Sequence, residues 1–283
     1  MDYDLDDALL AAAAPSDLNA ALICLAGSCP MGARLCDRTL PVVTMAQVYA
    51  IVRNRTTVDR GIEEQRAAGS LFVLQLPAAL RDEPLLFRSS AVEAALLADA
   101  AAADVAEDKA ALALAAQLVR QSARARVDEA DLVDALCNRQ GGGAGSTAAA
   151  AQAVATTLVR RGWLVPLRQV AVTGLGEVPA VDGTSWLWSL PRCGLVVKAL
   201  LELRAQVLRC LDRQRFGRAQ RNVVERATNM GVRKAQVTLD FVLRDMEGRG
   251  LLKADPAAPA GATLQLSPAG VEAAAALKKK RKR

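Results

Sequence analysis

The chain has 283 residues, 52% of them hydrophobic, with 36 Lys and Arg against 30 Asp and Glu and no histidine. Its length exceeds one ordinary domain and its apolar fraction supplies a sizeable core, although much of that fraction is alanine, which favours helix and buries little area. The lack of histidine removes the commonest general base and any Ser-His-Asp arrangement, no apolar run approaches the roughly eighteen residues of a membrane span, and the acidic start MDYDLDD is the reverse of a basic secretion leader, so the expectation is an intracellular, helix-rich chain of several domains.

Residues 1–15, with four aspartates and an alanine run, read as an acidic flexible lead. Asp17 can cap a short helix carrying Leu18, Leu22, Ile23 and Leu25, followed by a loop with Gly27, Pro30 and Gly32. Thr44 and Gln47 have the spacing of a capping box, which predicts a helix whose apolar face is Met45, Val48, Tyr49 and Val52. A second start at Thr56, with Asp59 three residues on, predicts a helix that ends at Gly69, and Leu71 to Leu76 then reads as a strand stopped by Pro77. Ser89 or Ser90 opens an alanine-rich helix with Val92, Leu96 and Leu97 to bury.

The ending Gly69-x-Leu71 returns at Gly162 and Gly250, at intervals of 93 and 88 residues, so a unit of roughly 90 residues fits the chain three times. Each of these strands has a later apolar partner: Leu85 to Phe87, Trp186 to Leu190, and Thr263 to Leu266. A helix running into a two-stranded ribbon is how a winged helix ends. The predicted fold is therefore mostly α with short β-hairpin wings (α+β), as three tandem winged helices over residues 16–103, 104–190 and 191–277, with a basic tail at 278–283. The alternative is a set of unrelated αβ pieces that share a short glycine signature.

In the second module, Leu112, Leu114, Leu118 and Val119 predict one helix, and Asp128 caps another containing Leu132, Val133 and Leu136. The run GGGAGS from Gly141 to Ser146 has no preceding strand and no Gly-Lys-Ser/Thr ending, so it reads as linker rather than phosphate loop. Gly174 and Gly176 belong to the long wing between Val172 and Trp186. Trp163, Trp186 and Trp188 are expected in the core or in packing between domains, since stacking on bases needs exposed rings beside basic residues. The six cysteines, among them Cys24, Cys29 and Cys36, show no CxxC spacing and are read as free thiols; a zinc site from those three and a carboxylate is the weaker alternative. No metal and no cofactor is expected.

The charge changes at Pro191. Residues 191–283 hold 20 Lys and Arg against 8 Asp and Glu, and residues 1–190 hold 16 against 22, so net +12 follows net −6. A helix from Leu195 to Leu211 buries Leu200, Leu201, Val207, Leu208 and Leu211 and leaves Lys198, Arg204, Arg209 and Arg213 outside. Arg215, Arg218, Arg221 and Arg226 are placed on the next helix. After Gly231 a third helix is predicted, with Arg233 and Lys234 on its first turn, where a helix-turn-helix approaches DNA and the helix dipole attracts phosphate. Lys278, Lys279, Lys280, Arg281, Lys282 and Arg283 form a tail suited to nuclear import and nonspecific phosphate contact.

The segments LPVVTMAQVYAIVRNRTTVDRGIEEQRAAGSLFVLQL, LLFRSSAVEAALL and WLWSLPRCGLVVKALLELRAQVL, with the basic stretch that follows, resemble the family named serine/threonine-protein kinase 19, in patches over roughly residues 35–270. The resemblance implies three tandem winged helices, nuclear double-stranded DNA binding, and a role in transcription-coupled nucleotide excision repair beside transcription and repair proteins. Family basic positions carry over as Lys198, Arg204, Arg213 and Arg215, while a further family lysine is replaced by Glu202. Phosphoryl transfer needs a DFG aspartate, an HRD-type loop and a strand lysine under a Gly-rich lid. The sequence contains none of these, so neither an enzyme nor a small-molecule substrate is expected. Two readings stand: a duplex DNA-binding factor working through phosphate contacts, and a winged-helix protein-interaction scaffold with a basic targeting tail.

Overall fold

One order of elements, helix, strand, helix, helix, strand, strand, runs through the chain three times. The computed structural model describes residues 18–27, 41–52, 54–74, 84–121, 126–139, 148–167, 185–191, 193–235, 238–254 and 263–281. The acidic lead, Asp17, the Gly141 to Ser146 run, the glycines Gly174 and Gly176, Cys29, Cys36, Lys282 and Arg283 lie outside them. The first pass comprises α1 (Leu18–Gly27), β1 (Val43–Thr44), α2 (Met45–Ile51), α3 (Arg55–Ala67), β2 (Leu71–Leu74) and β3 (Leu85–Arg88), followed by helix α4 (Ser89–Ala102). The second comprises α5 (Ala106–Gln121), β4 (Arg126–Asp128), α6 (Glu129–Arg139), α7 (Ala148–Arg161), β5 (Leu164–Pro166) and β6 (Ser185–Trp188). The third comprises α8 (Cys193–Asp212), β7 (Arg218–Gln220), α9 (Arg221–Ala235), α10 (Leu239–Gly248), β8 (Leu252–Ala254) and β9 (Thr263–Leu266), and helix α11 (Pro268–Arg281) follows. The chain is thus mostly helical with small antiparallel sheets, the expected class.

The recurrence extends to backbone detail. Gly69, Gly162 and Gly250 have φ of 72°, 82° and 68°, the left-handed conformation that ends a helix without a Cβ penalty. In each case the next residue donates five positions back, Ser70 to Gln65, Trp163 to Leu158 and Leu251 to Met246, which is the long bond of a Schellman cap. Each of those residues in turn accepts from a serine just past the last strand of its repeat, Ser89, Ser189 and Ser267, at 3.0, 2.8 and 3.0 Å. The glycine therefore stops the helix and aims the chain into the hairpin. Strands β2 and β3 pair antiparallel with Leu71 opposite Arg88; β5 and β6 pair with Leu164 opposite Trp188; β8 and β9 pair with Leu252 opposite Leu266. In the second and third repeats the short first strand completes a three-stranded sheet, in the orders β4-β6-β5 and β7-β9-β8. Those short first strands leave too few residues to alternate visibly, and the sequence pattern does not mark them.

The described residues divide into two compact units. One is built from Val43–Asp59 and Gly194–Arg283 with helix α1; the other is Arg60–Cys193. In the second unit Trp163, Trp186 and Trp188 are all buried, as expected, and Trp188 meets Phe72 edge-on with centroids 6.1 Å apart. Leu96 and Val92 are buried on α4, whereas Leu97 is half exposed because it lies off the Val92, Leu96 stripe. A polar cluster fastens α4, α5 and α7. Arg161 reaches Asp108 at 2.8 Å and Asp99 at 3.1 Å, Arg160 reaches the other Asp108 oxygen, and the Trp163 indole N–H donates to Asp99 at 2.8 Å.

Hydrogen bonding from Arg161 is the largest cause holding the Asp108 carboxyl below its ordinary value of 3.8, with the charges of both arginines adding to it against desolvation. A depressed folded value means the stabilisation is complete above the ordinary value and is lost as pH falls through the folded one. Urea midpoints followed by tryptophan fluorescence should therefore hold steady above about pH 4 and fall below it. Asp108→Asn should weaken the unit at neutral pH and flatten that acid limb; an unchanged limb would assign the acid sensitivity to other carboxylates.

In the first unit the Thr44/Gln47 capping box is present. The Gln47 N–H donates to Thr44 Oγ1 at 3.2 Å and the Thr44 N–H to Gln47 Oε1 at 2.9 Å. The buried side of α2 is Ala46, Gln47 and Val48, with Val52 beyond; Met45 and Tyr49 are only half-buried, so the face is rotated from the one predicted. The reason is α10, which packs on the Ala46–Gln47 side: Gln47 Nε2 donates to the Phe241 carbonyl at 2.9 Å. Asn54 rather than Thr56 opens α3, accepting from the Thr57 N–H. On α1, Leu18, Leu22 and Leu25 are buried and Ile23 is exposed.

Candidate nucleic-acid interface

The basic third repeat starts from α8, whose buried positions Val197, Leu200, Arg204, Val207 and Leu211 recur at intervals of three and four. Leu201 falls off that stripe and is exposed, contrary to expectation, and Leu203 is buried instead. Lys198 and Arg209 are exposed as predicted. Arg204 is the main correction. It occupies a core position of the stripe, is 6% exposed, and places Nε 2.6 Å from Asp245 Oδ2. Asp245 is fully buried on α10 and is also held by Thr44 Oγ1, which donates at 2.7 Å, and by Arg249 Nε at 3.3 Å. Arg204 thus joins α8 to α10 inside the unit and presents no guanidinium to a ligand outside it.

Beyond Asp212 the chain turns sharply. The Gln214 N–H donates to Leu211, the Gly217 N–H to Gln214 and the Arg218 N–H to Arg215, so Arg215–Gly217 forms one turn of 3-10 helix. Arg215 and Arg218 therefore lie on this turn and on β7, not on the following helix. Arg213, Arg215 and Arg218 are all exposed there. Between them stands Phe216, which sequence reasoning missed, with φ 60° and 76% of its surface exposed; the Arg215 guanidinium lies 4.9 Å from its ring centroid. The local signal was RQRFGR, an aromatic residue set before a glycine among arginines where a helix stops. Lys278 on α11 reaches Asp212 Oδ2 at 2.7 Å, which brings the start of the basic carboxyl-terminal run beside this turn. Burial pushes the neighbouring Cys210 thiol up, against the lowering pull of Arg213, and Cys24, Cys137 and Cys210 are all free thiols.

Arg221 and Arg226 stand on the following helix, as expected. Arg221 opens α9 and pairs with Asp240 on α10 at 2.6 Å, while Arg226 is exposed. Arg233 and Lys234 end α9 rather than begin the next helix, since α10 starts at Leu239 after Thr238, whose hydroxyl accepts from the Phe241 N–H. They sit where the dipole favours cations, at a helix carboxyl end, and the phosphate-attracting end of α10 does not carry them. Lys279, Lys280 and Arg281 continue α11, so the basic run is helical through residue 281 rather than a loose tail. Among the described residues no cluster of candidate metal ligands occurs and no helix is long and apolar enough to cross a membrane.

A family model described as inactive serine-threonine protein kinase 19 matches residues 19–264. Among curated proteins the chain has no match.

Proposed function

We propose that this chain, which belongs to the inactive serine-threonine protein kinase 19 family, is a nuclear protein of three tandem winged helices that binds double-stranded DNA through phosphates, as an adaptor in transcription-coupled nucleotide excision repair. The single observation that carries the DNA reading is the turn from Arg213 to Arg218, which exposes three arginines within six residues beside the Lys278 end of α11. Charge supports it, because the net +12 of residues 191–283 lies in the part of the chain that holds this turn. The winged-helix reading rests on the thrice-repeated element order and glycine caps, the nuclear and repair roles on the family resemblance and the basic carboxyl end. The description of the family as inactive agrees with the lack of phosphoryl-transfer motifs.

Phosphate contacts position a protein without reading sequence. Unrelated duplexes should therefore bind with similar affinity, and log affinity should fall linearly with log salt. Replacing Arg213, Arg215 and Arg218 together by glutamine should reduce that slope by about 2–3, since each phosphate contact contributes about 0.9. No binding at low salt, or strong discrimination between unrelated duplexes, would overturn the reading. A protein-interaction scaffold is the second reading, favoured by Val223, Ala227 and Met230, which are exposed at one-turn spacing on α9, Met230 to 82%. Partner binding through that apolar stripe would be nearly insensitive to salt, which separates it from DNA binding.

A further inference from the structure

Phe216 is held in a backbone conformation that a residue with a Cβ rarely adopts, and it gains no burial there. The turn that imposes it is well fixed. Three successive backbone hydrogen bonds close it, and Gly217, itself at φ 63°, packs against Leu266 of β9, where an added Cβ would stand 3.4 Å from the leucine side chain. A strained, exposed aromatic on a rigid turn is retained at a cost to stability, and such strain concentrates at binding sites. Its neighbours define what binds. Arg213, Arg215 and Arg218 attract a phosphate backbone, and the Arg215 guanidinium over the ring adds to a stacking surface of the kind that takes a flat, electron-rich partner. In an intact duplex the base faces are already stacked on each other; in a bubble, flap or lesion they are open.

We propose that Phe216 is a stacking platform for an unpaired DNA base, so that the Arg213–Arg218 turn grips distorted DNA more tightly than intact duplex. This rests on the DNA-binding reading above and adds a preference to it. The test compares a short duplex with the same sequence carrying a small central mismatch bubble that includes one 2-aminopurine. The wild-type protein should bind the bubble roughly tenfold tighter and quench the 2-aminopurine, because base–aromatic stacking is sequence-tolerant and acts only on an exposed base face. Phe216→Ala should bind both probes at the duplex affinity with an unchanged salt slope, and Phe216→Trp should keep the preference. Phe216→Gly should lose the preference while its thermal midpoint holds or rises, since glycine accepts the positive φ, which excludes misfolding as the cause. Equal binding of both probes by the wild type, or a preference that survives Phe216→Ala, overturns the platform and leaves phosphate binding standing. Failure of the wild type to bind either probe overturns both.

Discussion

Asp245→Ala should destabilise the first unit by about 3–5 kcal/mol, because it leaves the Arg204 charge buried without its counterion. Asp245 is fully buried and the Arg204 side chain is only 7% exposed, so water cannot replace the lost carboxylate. The Thr44 hydroxyl and the Arg249 guanidinium lose the same acceptor, and the cap of α2 keeps only the bond from Gln47 to the Phe241 carbonyl as its tie to α10. Urea unfolding followed by helical circular dichroism, with hydrogen exchange in peptides covering α8 and α10, measures the loss. Tryptophan emission is silent here, since all three tryptophans lie within Arg60–Cys193. Arg204→Met combined with Asp245→Leu should recover most of the stability, as apolar replacements of a buried ion pair commonly do. That double variant should also bind duplex DNA like the wild type, although the family resemblance implies a DNA contact at Arg204. A single-variant loss below about 1 kcal/mol would mean the pair is solvated in solution.

Gly248→Ala should cost about 4 kcal/mol, in the range reserved for severe overpacking. A Cβ there would sit 1.6 Å from the Ala46 carbonyl oxygen and 2.5 Å from its carbon. Both are backbone atoms, so no side chain can swing away, and α2 must retreat from α10. That retreat also breaks the bond from Gln47 to Phe241 and loosens the Arg55 guanidinium from the Gly248 carbonyl that it caps. Gly69→Ala is the control. Nothing lies within 4 Å of a Cβ at Gly69, so only its φ of 72° is strained, at about 1 kcal/mol. Comparable losses at both positions would refute the close helix approach.

The caps were legible because their causes are local. Gly69, Gly162 and Gly250 repeat a backbone requirement that few residues meet, and Thr44 with Gln47 announces its own hydrogen bonds three residues apart. The tryptophans were legible for a different reason: bulky rings in an alanine-rich module have few places other than its core. The misplacements share the opposite property. Asp245 meets Thr44 across 201 residues, and nothing near either one records the other. Arg204 left a trace that charge obscured, since it fills a stripe position between Leu200 and Val207 that apolar residues otherwise hold. Arg233 and Lys234 fall on α9 rather than on the next helix because the break lies between Ala235 and Leu239, not at Gly231, and that offset moves a cation from one dipole end to the other. Phe216 lay in a segment read for its arginines alone, and its left-handed backbone is visible only in three dimensions.

The bond between Thr44 and Asp245 also orders events on the ribosome. At about 5–20 residues per second, a nascent chain exposes Thr44 roughly 10–40 s before Asp245 has been made. All of Arg60–Cys193 is synthesised within that interval, so this unit can condense while α2 still lacks the helix that covers Ala46, Gln47 and Val48. Until Leu239 and the residues after it are made, α2 has no α10 to pack on.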